Sequence, residues 1–429
     1  MNSRLAIVDG IRTPFCKAGG KLKPVQADDL GVFAVKELMA RTGFPAAELD
    51  AVIFGNVAQP IHAANIARVI ALKAGLPIDL PAYTVHRNCA SGMQAFTSAA
   101  EKVALGAAEA LLVGGTESMS NIPLLFGPQM TELFYHLNKA RTMFGKLQAI
   151  AAFRPSFLKP VIALEQGLTD PICGLIMGLT AERLSREFHI NREQQDRYAL
   201  ESHRRACTAI AAGLFDEEIV PVPVPPRYTD IQLHDEGPRP KQSIEALNKL
   251  KPYFDRKTGT VTVGSSAQVT DGAVAALVLQ EERAKSMGLQ PLGYLHSYAY
   301  AALAGDRMGL GPLYATAKLL DETGMALDDF DLIELNEAFA AQVLACELAF
   351  SSLAFAEEFL GLDHALGAID PEKLNVNGGA IALGHPVGAT GARLIVTLLK
   401  SLRRRGLQRG LATLCVGGGQ GAALALEVN

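Results

Sequence analysis

The chain has 429 residues, 49% of them hydrophobic, with a mean hydropathy of +0.18. That is enough for two or three domains with substantial cores. A net charge of −4 and a pI near 6.2 exclude the global basic field that would draw the protein to nucleic acid.

Cysteines at 16, 89, 173, 207, 346 and 415 are spaced too irregularly for a disulfide framework or a zinc site, and suit a reducing compartment. Leu5-Ala6-Ile7-Val8 reads as a strand with no signal-peptide pattern before it, and no apolar run is long enough to span a bilayer. The expectation is a soluble cytoplasmic α/β protein.

Arg12-Thr13-Pro14-Phe15 follows as a turn, and Asp28-Asp29 form the expected N-cap pair of a helix from Leu30 to Arg41, stopped by Gly43. Ala51 to Gly55 reads as a buried strand, Asn65 to Ala74 as a helix and Tyr83-Thr84-Val85 as the end of a strand. A helix runs from Ser91 to about Leu105, closed by Gly106, and a strand from Ala110 to Gly115. Alternating strands and helices with short links predict a largely parallel sheet covered on both faces.

The C-terminal third repeats this order. Thr42-Gly43 and Asp50-Ala51-Val52 match Thr323-Gly324 and Asp331-Leu332-Ile333 at an offset of 281. The turn Gly378-Gly379-Ala380…Gly384-His385-Pro386 precedes a helix from about Gly391 to Arg405 and a strand Leu411 to Val416, which ends in Gly417-Gly418-Gly419. That copies the unit from Cys89 to Gly115 at an offset of 296, the surplus lying around Ser351 to Pro371. A duplication packed about a pseudo-two-fold axis would bring the Cys89 and His385 turns to corresponding sheet ends, where α/β folds bind ligands.

The expected division is an N-terminal half over 1–120 completed by about 259–283, a loop domain over 121–258 and a C-terminal half over 284–429. Within the insertion, Leu133 to Leu164 lacks Asp and Glu but carries Lys139, Arg141, Lys146, Arg154 and Lys159 among Phe134, Met143, Phe144, Leu147 and Ile150. An amphipathic surface hairpin, a cover for an acyl or phosphate-bearing ligand, and a membrane or partner contact all fit that pattern. Helices follow from Met177-Gly178 to near Phe188 and from Gln194 to Ala212, the second closed by Gly213.

Cys89 sits where a strand turns into a helix N-terminus, whose unpaired N–H groups and dipole favour a thiolate. Taken alone, such a cysteine is more often a buried structural residue than a nucleophile. Cys89, Asn336-Glu337-Ala338-Phe339, His385 and Cys415 together offer a thiol nucleophile, an imidazole base and a second thiol for a separate proton transfer. Backbone N–H groups in the turns at Cys89 and Gly417-Gly418-Gly419 could form an oxyanion hole for a thioester carbonyl, with Asn336 holding a water or donating directly. The Gly417–Gly421 run lacks a P-loop lysine and the dinucleotide-binding spacing, and no metal motif is present.

These residues carry a resemblance. Asn88-Cys89-Ala90-Ser91-Gly92-Met93, Asn336-Glu337-Ala338-Phe339-Ala340, Gly384-His385-Pro386-Val387-Gly388-Ala389-Thr390-Gly391 and Cys415-Val416-Gly417-Gly418-Gly419 resemble the ordered motifs of thiolases, and the likeness runs along essentially the whole chain. It implies a five-layered α-β-α-β-α core of two similar halves plus an inserted loop domain. It also implies that Cys89 is acylated by a 3-oxoacyl-CoA with His385 as its base, and that Cys415 handles the proton of the departing acetyl-CoA. One oxyanion hole would use His385 and an Asn336-bound water, the other the N–H groups of Cys89 and Gly417. CoA is then a substrate, and neither metal nor redox cofactor is implied.

The segment from Leu137 to Pro160 also resembles the β-subunits of trifunctional fatty-acid-oxidation complexes, which leaves a hydratase/dehydrogenase partner and membrane contact open beside the implied homodimer or tetramer. Met177, Ser266 and Ala267 fall in the implied CoA region; Ala267 replaces a serine common in the family, and Ile176 replaces a histidine common in biosynthetic members. The expectation is fatty-acid β-oxidation, with acetoacetyl-CoA synthesis as the alternative direction. A decarboxylating 3-oxoacyl synthase is disfavoured by Cys415, and an inactive acyl-CoA carrier or scaffold by the joint presence of Cys89, His385 and Cys415.

Overall fold

The structure, a computed structural model, describes residues 4–428. Its first half contains β1 (Leu5–Arg12), α1 (Ala27–Thr42), β2 (Ala51–Gly55), α2 (Ile66–Ala74), β3 (Ala82–Val85), α3 (Ser91–Ala104) and β4 (Ala110–Ser118). The intervening segment contributes α4 (Pro128–Lys139), α5 (Met143–Ala151), α6 (Met177–Glu187) and α7 (Arg192–Ala211). The chain then adds β5 (Thr270–Gln280), β6 (Gly293–Ala302), α8 (Gly311–Thr323), β7 (Leu332–Leu335), α9 (Ala340–Phe350), α10 (Val387–Arg405), β8 (Arg409–Val416) and β9 (Gln420–Glu427).

The strands hydrogen-bond in the order β7-β8-β9-β6-β1-β5-β4-β2-β3. Pairing is parallel at the two flanks, where β2 meets β3 and β4 and where β7 meets β8. Through the centre it is antiparallel, which corrects the expectation of a largely parallel sheet. The helical crossovers between β2 and β4 and between β7 and β8 impose parallel neighbours. After Cys415 the chain instead reverses directly through Gly418 (φ 87°) and Gly419 (φ 76°), backbone conformations that favour glycine, so β9 returns beside β8.

The repeat is visible down to single hydrogen bonds. Gly43 (φ 61°) ends α1 as Gly324 (φ 68°) ends α8, and each is followed by a short 3₁₀ turn, Ala46–Glu48 or Leu327–Asp329. Asp50 Oδ2 accepts from the N–H groups of Glu109 and Ala110 at 2.7 and 2.9 Å. Asp331 Oδ2 accepts from those of Gln408 and Arg409, both at 2.9 Å. Each carboxylate fastens the start of the strand that follows the central helix of its own half.

Five layers result. Helices α1 and α2 cover one outer face with Val52, Phe54, Leu112 and Leu277, and α8 and α9 cover the other with Ile333, Leu335, Leu411 and Ala423. Between them α3 and α10 pack on each other and on strands of both halves. A helix in that layer has no solvent face, and every residue of α10 from Val387 to Leu402 is buried. Small residues make the packing close: a Cβ at Gly92 would lie 2.5 Å from the Ala392 nitrogen, and one at Gly391 2.6 Å from the Met93 nitrogen. α10 begins at Val387, one turn earlier than the expected Gly391.

Gln26, not the Asp28-Asp29 pair, occupies the N-cap of α1. Asp28 lies in the first turn, buried, and accepts from His62 Nε2 at 3.1 Å and Lys73 Nζ at 2.6 Å. A carboxylate in a first turn reads like a cap in sequence because the helix dipole favours both places. In the 121–258 segment, α4 and α5 form a hairpin, and Phe134, Met143, Phe144, Leu147 and Ile150 stay exposed on it. Among the described residues no helix is long and apolar enough to cross a membrane.

Candidate active site

Cys89 follows the end of β3 and precedes α3. Asn88 adopts a left-handed conformation (φ 42°) to make the turn, and Ser91 staples it: its hydroxyl donates to the Asn88 carbonyl at 2.7 Å and accepts from Arg87 N–H at 2.9 Å. Asn88 Nδ2 donates to the Gly417 carbonyl at 2.7 Å, joining this turn to the one after Cys415.

The thiol of Cys89 is half-buried, and burial pushes its pKa up from the ordinary value. The N–H groups of Gly417 and of Cys89 itself, both within reach of the sulfur, pull it partly back, and Glu117 opposes them. The expected helix-terminal stabilisation of a thiolate is therefore real but outweighed; the resting group is a thiol. Removing a sulfur anion from water costs more here than two N–H groups and a helix end return.

Cys415 closes β8 opposite Gly421 of β9 and is 1% exposed. Burial raises its pKa far above the ordinary value, with further upward pressure from Cys89 and then Cys346. The two site cysteines thus sense each other across the boundary between the halves. Gly417, two residues on, directs its N–H at Cys89.

His385 lies at the start of the second central helix as Cys89 lies at the start of the first. Its backbone N–H donates to the Gln268 carbonyl at 3.0 Å, and Gly384 (φ 105°) before it leaves no room for a side chain, since a Cβ would meet Thr270 Cγ2 at 2.3 Å. The imidazole Nδ1 is 2.6 Å from Thr390 Oγ1. Burial first, and the Arg393 charge second, push its pKa from 6.5 down to about 4, so it is neutral and able to take a proton.

Asn336 extends the β7–β8 pairing, its N–H donating to the Thr413 carbonyl at 3.0 Å. Its side chain is fully buried, and neither amide atom has a protein partner among the described residues. A buried amide in that state costs free energy unless a water or ligand meets it. Glu337 beside it is instead saturated, accepting from Tyr198, Ser202, Asn375 and the Ile381 N–H.

Ser266 and Ala267 lie on a strap between the Asn336 and His385 turns. Ala267 N–H donates to the Ala338 carbonyl at 2.9 Å, and the next residue, Gln268, holds His385. The Ser266 hydroxyl donates to the Thr262 carbonyl at 2.7 Å, which commits its proton inward. Met177, the first residue of α6, packs with Phe254, Phe339 and Cys415, and its sulfur faces Gly417. It lies at the Cys415 side of the site.

Sequence reasoning missed Glu117 and Thr390. Glu117 is buried and accepts from the N–H groups of Val57, Ala58 and Gly388 and from Asn56 Nδ2, each at 3.0 Å. It clamps the N-terminal turn of α10 to the half that carries Cys89. Its partners are 59 to 271 positions away, so no local pattern marks it.

A half-buried thiol with the N–H groups of Cys89 and Gly417 beside it, a second, buried thiol and a neutral imidazole at the start of the other central helix are groups suited to acyl-transfer chemistry. The thiolase N-terminal domain family matches residues 5–282, and the thiolase C-terminal domain family matches residues 289–428. The 3-ketoacyl-CoA thiolase of Serratia proteamaculans is 43% identical over 427 residues, covering 99% of this chain and 97% of that one. Among solved structures, the Bacillus anthracis acetyl-CoA acetyltransferase is 38% identical with a TM-score of 0.87, covering 99% of this chain and 98% of that one. Human mitochondrial 3-ketoacyl-CoA thiolase in complex with CoA is 35% identical with a TM-score of 0.85, covering 100% and 98%. The chain belongs to the thiolase family and is an acyltransferase.

Proposed function

We propose that the protein cleaves 3-oxoacyl-CoA with CoA to give acetyl-CoA and a shortened acyl-CoA, in fatty-acid β-oxidation, through an acyl group carried on Cys89. The observation that carries this reading is the convergence on the Cys89 sulfur of its own N–H and that of Gly417, with the Cys415 thiol close enough to be perturbed by it. The 3-ketoacyl-CoA thiolase relative at 43% identity supports the substrate and direction.

In this account His385 Nε2 takes the Cys89 proton as sulfur attacks the 3-oxo carbon. The bond between C2 and C3 breaks, its electron pair leaves with acetyl-CoA as an enolate, and Cys415 supplies the proton. The enolate oxygen lies between His385 and a water on Asn336; the thioester oxygen of acyl-Cys89 lies between the Cys89 and Gly417 N–H groups. A CoA thiol then takes the acyl group, and its proton returns to the site. No electrons are gained or lost overall, so CoA as substrate suffices and no resident metal or redox cofactor is called for. Met177 and the Ser266-Ala267 strap would contact CoA. A cytoplasmic homodimer or tetramer completes the proposal, with six free cysteines in keeping with a reducing compartment.

The test is CoA-dependent loss of 3-oxoacyl-CoA absorbance over a series of chain lengths, with Cys89→Ala as control. Activity at one or more lengths in the wild type and none in the variant is expected. No thiolysis at any length, or full activity in Cys89→Ala, would overturn the reading.

A further inference from the structure

We propose that Thr390 is a positioning residue for His385: by accepting a hydrogen bond from Nδ1–H it fixes the neutral tautomer whose Nε2 lone pair faces the site. The inference rests on His385 acting as the base for Cys89.

Thr390 is fully buried in the first turn of α10, five residues after His385. Its Oγ1 is 2.6 Å from Nδ1 and 3.0 Å from the Pro386 carbonyl. A hydroxyl has one proton. The carbonyl can only accept, so the arrangement that satisfies both contacts sends the hydroxyl proton to Pro386 and the Nδ1 proton to Thr390. With His385 N–H held by Gln268, the ring is fixed at both its backbone and its inner nitrogen.

The charged groups around the imidazole agree with a ring that enters the reaction neutral. Arg393, one turn further along α10, is buried with Nη1 on Glu334 of β7 at 2.6 Å, and its positive charge disfavours an imidazolium. Glu117 of β4 faces the same helix start but is occupied by four donors, including Gly388 N–H, so no carboxylate stands at Nδ1 to do what Thr390 does. A hydroxyl orients the ring without adding a negative charge that would trap the proton.

Two measurements test this. In the wild-type protein with ¹⁵N-histidine, assigned by comparison with His385→Gln, Nδ1 of His385 is expected to resonate as a protonated nitrogen and Nε2 as an unprotonated one at pH 7. The reversed assignment would overturn the proposal without any variant having to fold. In thiolysis, Thr390→Val should lower kcat by roughly 10- to 100-fold, a part of what a general base contributes, with KM for CoA changed by less than about threefold. Thr390→Ser should restore kcat to within about threefold, because it keeps the hydroxyl. Wild-type kcat in Thr390→Val, or a serine variant as impaired as the valine one, would also overturn it. Absence of thiolysis in the wild type would instead remove the proposed function, and the nitrogen spectrum would still decide the tautomer.

Discussion

Asn88 donates from Nδ2 to the carbonyl of Gly417 at 2.7 Å, so the turn bearing Cys89 is tied directly to the turn that follows Cys415. The bond crosses the boundary between the duplicated halves and leaves the Gly417 N–H free to point at Cys89. Asn88 also occupies a left-handed conformation that a short polar side chain tolerates better than most.

Two substitutions separate those roles. Asn88→Gly keeps the backbone conformation and loses the bond; Asn88→Ala loses the bond and adds strain of roughly 1 kcal/mol. Both should lower kcat by at least about tenfold through a displaced Gly417 N–H, while only the alanine variant should show the extra loss in denaturant midpoint. Equal activity in Asn88→Gly and wild type would remove the bond from the account.

Asn336→Ala should leave stability within about 1 kcal/mol of wild type, because the amide gives up no protein hydrogen bond. Its kcat should fall about 100- to 1,000-fold, the range for loss of one oxyanion donor. A large stability loss with unchanged kcat would make the residue structural.

Because burial raises the Cys89 thiol and holds His385 near 4, the resting pair is neutral rather than an ion pair. Alkylation of Cys89 by iodoacetamide should therefore keep accelerating as pH rises through 9.0, the ordinary thiol value. Protonation of His385 should cut thiolysis only as pH approaches about 4. An alkylation rate already level below pH 7 would indicate a preformed thiolate–imidazolium pair.

His203, 3% exposed on α7, is pushed from 6.5 to about 4 by burial and then by the Arg239 charge. Between those values the unfolded chain binds a proton that the folded chain does not. Its contribution to stability is thus fully present above pH 6.5 and lost as pH falls towards 4. Urea midpoints at pH 7 and pH 4.5 should differ less in His203→Gln than in wild type.

The duplication was legible because its punctuation is local: Gly43 and Gly324 end helices, and Asp50 and Asp331 sit at the same distance beyond them. The Cys89, Asn336, His385 and Cys415 turns were legible for the same reason. The antiparallel centre was not, because the pairing of β1 with β5 and β6 joins residues 262 to 290 positions apart and leaves no mark on either strand's pattern. Nor was the state of the Cys89 thiol. Sequence shows the helix N-terminus, while the opposing burial comes from a core that both halves build together. Glu117 and Asp28 were misjudged or missed alike, since a buried carboxylate is identified by its donors, and those lie far along the chain.

Everything proposed for this site depends on Cys89 carrying the acyl group. Brief mixing of the protein with a 3-oxoacyl-CoA in the absence of free CoA, followed by acid quench, digestion and mass spectrometry, tests it most directly. The shortened acyl group is expected on the peptide containing Cys89, discharged on addition of CoA and absent in Cys89→Ala. An unmodified Cys89 peptide during turnover, or the acyl group on Cys415 or another residue, would contradict it.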